Sequence, residues 1–372
     1  MKLIELSVKN YRNLENNKFQ FNNEINYIYG NNAQGKTNLL EAIWMLTGTR
    51  SFRGSKDSQL IRFNEDYANL MGKSVFEGRN QEIRVNFAQG KRRIFLNGVA
   101  KKRLSEIIGR FRTVLFSPAH LSLVQDGPEN RRKFLDAAIC QLKPPYTQIL
   151  IEYNQTLKHR NALLKTISKT NKNFHLIDVW NQKLIESGTE IIKNRMNYLS
   201  QFIQIFRRMY SEISGNKEII SMSYVSAITK NMWHSFSEKE VKTNFEVLLK
   251  NNEFSDIKSG STSIGPHKDE LTIILDGKPL RNFGSQGQQR SAVLAMKLAE
   301  ADAIENKIQD SPIILLDDVM SELDERRKEY LMSKIKNRQV FITGCDYNLL
   351  KSFNEASKFQ ISNGKLVSTY LN

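Results

Sequence analysis

Along the first ~115 residues, apolar and polar positions change over in short runs; after that the spacing turns helical. "KLIELSVKNY" predicts a strand that ends in a turn at Arg12-Asn13, and "EINYIYG" predicts a buried strand. Residues 36–47 take helical spacing. "LMGKSVFEG", "QEIRVNFAQG" and "RRIFLNG" predict short antiparallel strands, with Asn97-Gly98 as a tight turn. From Pro128 to about residue 213 the rhythm is that of helices. Tyr146, Leu150, Tyr153, Leu157 and Leu164 form one stripe, and Ile177, Trp180, Leu184, Ile191, Leu199, Ile203, Phe206 and Tyr210 form another. A helix over roughly 175–213 would be about 58 Å long at ~1.5 Å per residue. The polar "KTNKN" between the stripes predicts an antiparallel helical arm, which Ser214-Gly215-Asn216 ends. Residues 216–261 are mixed in pattern. A strand at "ELTIILDG", a helix at 287–306, a strand at "PIILLDD", a helix at 323–336 and a strand at "QVFITG" follow. The expected plan is an α/β head built from residues 1–116 and 262–372, with a mainly helical insertion over 117–261.

Composition narrows the setting. The apolar runs of this 372-residue chain fall short of the ~20 residues a membrane span needs, and Glu5 and Lys9 interrupt the start too soon for a signal peptide. Cys140 and Cys345 alone write no disulfide framework, so a reduced, cytoplasmic setting is expected. His120, His159, His175, His234 and His267 have no ligand-like spacing, which argues against structural zinc. The net charge of +16 fits either a soluble lysine-rich surface or a nucleic-acid footprint. Its clusters are Lys91-Arg92-Arg93, Lys101-Lys102-Arg103, Arg110 with Arg112, Arg131-Arg132-Lys133 and Arg207-Arg208. Each alone reads as a solvated face. Together they suit phosphate contacts, and no base-reading motif accompanies them.

The chemistry concentrates at Gly30…Gly35-Lys36-Thr37, a G-x-x-x-x-G-K-[ST] loop between a predicted strand and helix. The glycines let the backbone N–H groups of Asn31, Asn32, Ala33 and Gln34 turn inward, and the helix that carries Asn38 points its positive end at the same anion. Lys36 would reach the β- and γ-phosphates of a nucleotide, and Thr37 would ligate Mg²⁺. The strand "PIILL" delivers Asp317 to hold Mg²⁺ through water and Asp318 to position the attacking water. Ser285-Gln286-Gly287-Gln288 opens another helix suited to an anion. It is a simple cap, a second contact to the same nucleotide, or a contact to the nucleotide held by a second chain.

The order of P-loop, "SQGQQ" signature, "LLDD" Walker B and "SELD" D-loop resembles the ABC-type ATPase heads of the SMC-like family. "VKNYRNL", "GNNAQGKTNLLEAI", "GTRSFRGSKDSQLIRF", "RRIFLNG", "GPENRRKFLD", "GPHKDEL" and "LLDDVMSELDERRKEYL" extend the resemblance over the whole chain, toward the recombination mediators of that family. The resemblance implies an ABC-type P-loop head with an antiparallel β subdomain and an inserted α-helical arm. It implies an ATP-dependent homodimer with slow ATP hydrolysis that binds single- and double-stranded DNA, at gaps and junctions. RecR and RecO are the implied partners in loading recombinase during DNA repair, replication and the SOS response. By analogy Arg12 reaches the nucleotide phosphates, and Arg50, Phe52 and Arg53 are candidates for nucleotide or DNA contact.

Four positions depart from the pattern. Ala119 and His120 replace an acidic pair, Cys345 precedes Asp346 where ABC ATPases carry a histidine, and Asp318 replaces a glutamate. The shorter acid suits slow hydrolysis and a long-lived ATP state. His267 in "GPHKDEL" reads as a capped structural histidine. One rival is the ATPase subunit of a membrane transporter, against which the charge and the helical insertion argue. Another is an SMC-like clamp, whose hundreds of coiled-coil residues are missing.

Overall fold

The computed structural model describes residues 1–21, 24–229, 237–345 and 356–370. Strands β1 (Lys2–Lys9), β2 (Asn17–Gln20) and β3 (Ile25–Tyr29) precede helix α1 (Lys36–Met45). Strands β4 (Tyr67–Phe76), β5 (Arg79–Ala88), β6 (Lys91–Leu96), β7 (Val99–Lys101) and β8 (Thr113–Phe116) follow. Helices α2 (Ser122–Gln125), α3 (Pro128–Leu142), α4 (Pro145–Thr170) and α5 (Ile177–Ser214) lead to β9 (Ile220–Val225), α6 (Glu238–Asn251) and α7 (Glu253–Ser259). Then come β10 (Glu270–Leu275), β11 (Lys278–Pro279), α8 (Leu280–Phe283), α9 (Gln286–Ile308), β12 (Ile313–Leu316), α10 (Glu325–Ile335), β13 (Val340–Gly344), β14 (Ser357–Ser362) and β15 (Lys365–Tyr370). Contacts divide the chain into Met1–His120 with Val293–Asn372, and Leu121–Ala292.

The first unit holds two sheets. One is antiparallel, in the order β2-β1-β4-β5-β6-β7. Its strands alternate as a half-buried sheet requires: Ile83, Val85 and Phe87 are buried while Arg84 between them is exposed. Asn97 and Gly98 both take positive φ, 51° and 78°, as the tight hairpin joining β6 and β7 demands. The other sheet runs β15-β14-β3-β13-β12-β8, parallel from β14 to β8. Parallel strands covered on both faces read as unbroken apolar runs, and Ile313–Leu316 is buried at every position. Leu3, Leu6 and Val8 of β1, Leu39, Leu40 and Ile43 of α1, and Ile313, Leu315 and Phe341 share one core. That core fixes α1 between the sheets, and so fixes where its N-terminus opens.

The second unit departs from the expected arm. Helix α5 has the predicted length, 38 residues, or about 57 Å, and Gly215 ends it in the left-handed conformation, φ 70°. Its C-terminal half is buried through Phe202, Phe206, Met209 and Tyr210, and it packs on β9. Strand β10, expected with the head, pairs antiparallel with β9 over six residues from Glu270–Val225 to Leu275–Ile220. That pairing draws residues 262–292 into the helical unit and makes the helix pair part of a mixed lobe. The ambiguous stretch 216–261 supplies β9, α6 and α7. Among the described residues no helix is long and apolar enough to cross a membrane, and no group of His, Cys, Asp and Glu could hold a metal by itself.

A buried ion pair ties this lobe together. Arg160 and Asp256, both fully buried, meet at 2.8 Å. Arg160 also donates to Asn181 Oδ1 and Thr262 Oγ1, and Asp256 accepts from the hydroxyl of Ser263. Removing one partner strands the other charge in the interior, which costs about 3–5 kcal/mol. Asp256→Ala should therefore lower the unfolding free energy by roughly that amount in a urea titration. A loss below ~1 kcal/mol would mean that water reaches Arg160 once the carboxylate is gone.

Candidate functional site

The P-loop follows β3 and enters α1. Gly30 has φ 152°, and a Cβ there would lie 2.2 Å from the carbonyl oxygen of Ile361. Gly35 has φ 114°, and a Cβ there would lie 2.8 Å from Asn13 Oδ1. Any side chain at either position would force the loop open, which explains the spacing of the two glycines. Asn31, Asn32 and Ala33 are exposed and Gln34 half-buried. Ala33 takes φ 62°, and the Gly364 N–H holds the Gln34 carbonyl at 2.9 Å. No side chain caps the N-terminus of α1, so its first N–H groups and its dipole face the loop.

Lys36 is buried, and its ammonium donates to the carbonyls of Gly30 at 2.8 Å and Asn31 at 2.9 Å and to Cys345 Sγ at 3.1 Å. Cys345 in turn donates to Asn32 Oδ1 at 2.9 Å. The residue that follows it, Asp346, lies outside the described residues. Thr37 Oγ1 donates to Asp317 Oδ1 at 2.9 Å, and Thr343 Oγ1 donates to the same oxygen at 3.1 Å. Burial pushes the Asp317 carboxyl above its ordinary pKa, against the pull of these two hydroxyls, and the charge of Asp318 adds to the rise. Asp318 is half-buried and left-handed, φ 53°, with its N–H donated to Thr343 Oγ1 at 3.0 Å. Lys36, Thr37, Asp317 and Asp318 are thus brought together in the first unit.

Beside the loop is a cleft of about 900 Å³ whose lining includes Arg12, Asn13, Ala33, Asn38, Arg53 and Phe63. Arg12, expected to reach the nucleotide phosphates, lines this cleft, and its guanidinium binds the buried carboxylate of Glu41 at 2.9 and 3.0 Å, Ser55 Oγ at 2.6 Å and the Gln59 carbonyl at 3.4 Å. Asn38 donates to Asn13 Oδ1 at 2.8 Å and accepts from Arg53 at 3.0 Å. The positive charge of Arg53 favours the ionised form of Asp317. Asn13, Phe63 and Thr343 were not singled out from the sequence as site residues. Asn13 lies in the predicted Arg12-Asn13 turn, Phe63 ends the stretch "GTRSFRGSKDSQLIRF", and Thr343 sits in "FITG" at the end of a parallel strand.

Ser285, Gly287 and Gln288 belong to the second unit. Ser285 Oγ accepts from the Gln288 N–H at 3.2 Å while Gln288 Oε1 accepts from the Ser285 N–H at 2.8 Å. This reciprocal pair is a capping box at the head of α9. The Gln288 amide also donates to Glu218 at 2.8 Å. His267 bonds Tyr153 Oη at 2.6 Å and the Thr262 carbonyl at 3.1 Å, a structural role, and burial lowers its pKa to about 4. His120, in the turn with Ala119, accepts from the Ser117 N–H at 3.1 Å; burial and nearby Lys297 lower its pKa to about 3, so it is neutral near pH 7. The basic clusters are thinner than their sequence suggests. Arg131 is buried against Glu270 at 2.7–2.8 Å, and Arg112 is buried. Lys91, Arg93, Lys102, Arg103, Arg110, Lys133, Arg207 and Arg208 are exposed.

The family model of the RecF/RecN/SMC N-terminal domain matches residues 2–367. The DNA replication and repair protein RecF of Thermoanaerobacter pseudethanolicus is 38% identical over 368 residues, 99% of each chain. That of Caldanaerobacter subterraneus subsp. tengcongensis is 41% identical over 347 residues, 92% of this chain and 94% of the relative. A solved structure of the recombination mediator protein RecF with ATP, in the RecFOR pathway, superimposes with a TM-score of 0.90 at 37% identity, covering 99% of this chain and 97% of that one. The Smc head domain of Pyrococcus furiosus, at 17% identity and a TM-score of 0.54, shares the fold. With a P-loop on a parallel sheet, an antiparallel subdomain and end-to-end similarity to these proteins, the chain belongs to the RecF family of ABC-type, SMC-like ATPases.

Proposed function

We propose that this chain is an ATP-dependent DNA-binding protein of recombinational repair and replication, in which slow ATP hydrolysis serves as a switch. The observation that carries the reading is the meeting of Lys36, Thr37 and Asp317 at the uncapped N-terminus of α1. Relatives of equal length bear a DNA repair and replication name, and a neighbour of 37% identity was solved with ATP. Backbone N–H groups of residues 30–35 and the α1 dipole take the phosphates, and Lys36 exchanges its carbonyl partners for the β- and γ-phosphates. The cleft of Asn13, Asn38, Arg53 and Phe63 takes the nucleoside.

Thr37 and Asp317 fit Mg²⁺: a hydroxyl and a carboxylate already within 2.9 Å of each other are the hard oxygen donors that ion prefers. When bound, the ion would supply positive charge to the phosphates and favour the ionised form of Asp317. Asp318 orients the attacking water. Ser285, Gly287 and Gln288 serve the nucleotide of a partner chain, so that ATP joins two copies. The exposed lysines and arginines take the DNA backbone, with gaps and junctions as targets and RecR and RecO as partners in recombinase loading.

Four measurements test this. Lys36→Met should weaken ATP binding about 10- to 100-fold, the loss of a charged hydrogen-bonding group. Asp318→Asn should keep ATP affinity and slow hydrolysis by about 10²-fold or more; equal affinity losses in the two variants would refute the division of roles. In sedimentation with Mg²⁺-ATP, Ser285→Arg should remain monomeric while binding ATP, and a dimer as stable as wild type would exclude a shared site. The logarithm of DNA affinity should fall with log salt at about −0.9 per phosphate contacted, whereas a flat response would exclude backbone binding.

A further inference from the structure

Glu41 sits on α1 six residues after Gly35 and is fully buried. A carboxylate in that position needs several donors to be tolerated, and it has them. Arg12 donates twice, in the bidentate geometry that fixes both partners, and Ser51 Oγ donates to Oε1. Each donor extends the connection. Ser51 Oγ accepts from the Arg53 N–H at 3.1 Å. Arg12 passes on to Ser55 Oγ and the Gln59 carbonyl. Arg12 itself takes φ 55°, a conformation a bulky side chain adopts only when its surroundings impose it. One carboxylate therefore anchors two of the segments that border the cleft: the turn at Arg12-Asn13 and the stretch from Ser51 to Gln59.

We propose that Glu41 is a positioning residue of the nucleotide site, setting the wall of the cleft through Arg12 and the 51–59 segment without touching the ligand. The inference rests on the nucleotide reading given above. It assigns Arg12 to Glu41 and leaves Asn13, Asn38 and Arg53 to meet the nucleoside side of the ligand. The phosphate cradle is built separately, from Gly30, Gly35 and Lys36. The two parts of the site are therefore expected to respond differently when Glu41 is changed.

The test compares two probes, Mg²⁺-ATP and Mg²⁺-tripolyphosphate, which share the phosphates and differ in the nucleoside. Glu41→Gln keeps the volume but loses the charge and turns an amide N–H₂ toward Arg12. ATP affinity should fall roughly tenfold, the order expected for a lost charged hydrogen bond, while tripolyphosphate affinity stays within about twofold. Glu41→Asp, which keeps the charge, should recover part of the loss. Ser55→Ala, a milder change at a half-buried site, should weaken ATP binding roughly two- to threefold with tripolyphosphate unchanged, and it decides the matter if Glu41→Gln does not fold. Unchanged ATP affinity in these variants overturns the proposal. Equal losses for both probes also overturn it, because they mark a general structural role. A wild-type protein that binds tripolyphosphate but gains nothing from the nucleoside overturns the nucleotide reading and the proposal with it.

Discussion

The hydrogen bond from Thr37 to Asp317 joins residues 280 positions apart, and it exists because β3, β13 and β12 lie side by side and parallel. Parallel strands bring their C-terminal ends to one edge. The P-loop leaves β3 at that edge, Asp317 leaves β12, and Thr343 of β13 stands between them with its hydroxyl on Asp317. The central pairing runs from Ile25–Val340 to Tyr29–Gly344, so a shift by one residue would turn Thr343 to the opposite face.

The same arrangement sets the electrostatics. Lys36 and Asp317 are both buried, and each is satisfied locally: Lys36 by carbonyls and a thiol, Asp317 by two hydroxyls. Burial is the main reason the Asp317 carboxyl stays above its ordinary pKa, and the charge of Asp318 adds to it, against the pull of the two hydroxyls and of Arg53. A buried ammonium beside a buried carboxylate suits the proposed ligand, a magnesium-bound polyphosphate, which carries both signs.

Much of this was legible in the sequence, because P-loop chemistry is written contiguously. Gly30 to Thr37 and "IILLDD" each carry their own local pattern, and the apolar run of β12 announces a buried strand. The partners of β10 were not legible. "ELTIILDG" is as good a strand in one sheet as in another, and its mate, "ISMSYV", is half polar and easily passed over. Charge clusters misled for a related reason: adjacent residues in "NRRKF" point to different sides of α3, so Arg131 is interior while Lys133 is exposed. The Arg12–Glu41 pair gives no sequence signal, since its spacing of 29 residues follows from tertiary packing alone.

The central claim is that the P-loop and the β12 carboxylate act as one Mg²⁺-ATP site. The most direct measurement is ATP affinity with and without Mg²⁺ in wild type and in Asp317→Asn. The account predicts that Mg²⁺ tightens ATP binding to wild type, and that the variant keeps its metal-free affinity but loses that gain. A magnesium effect of equal size in both proteins would contradict it.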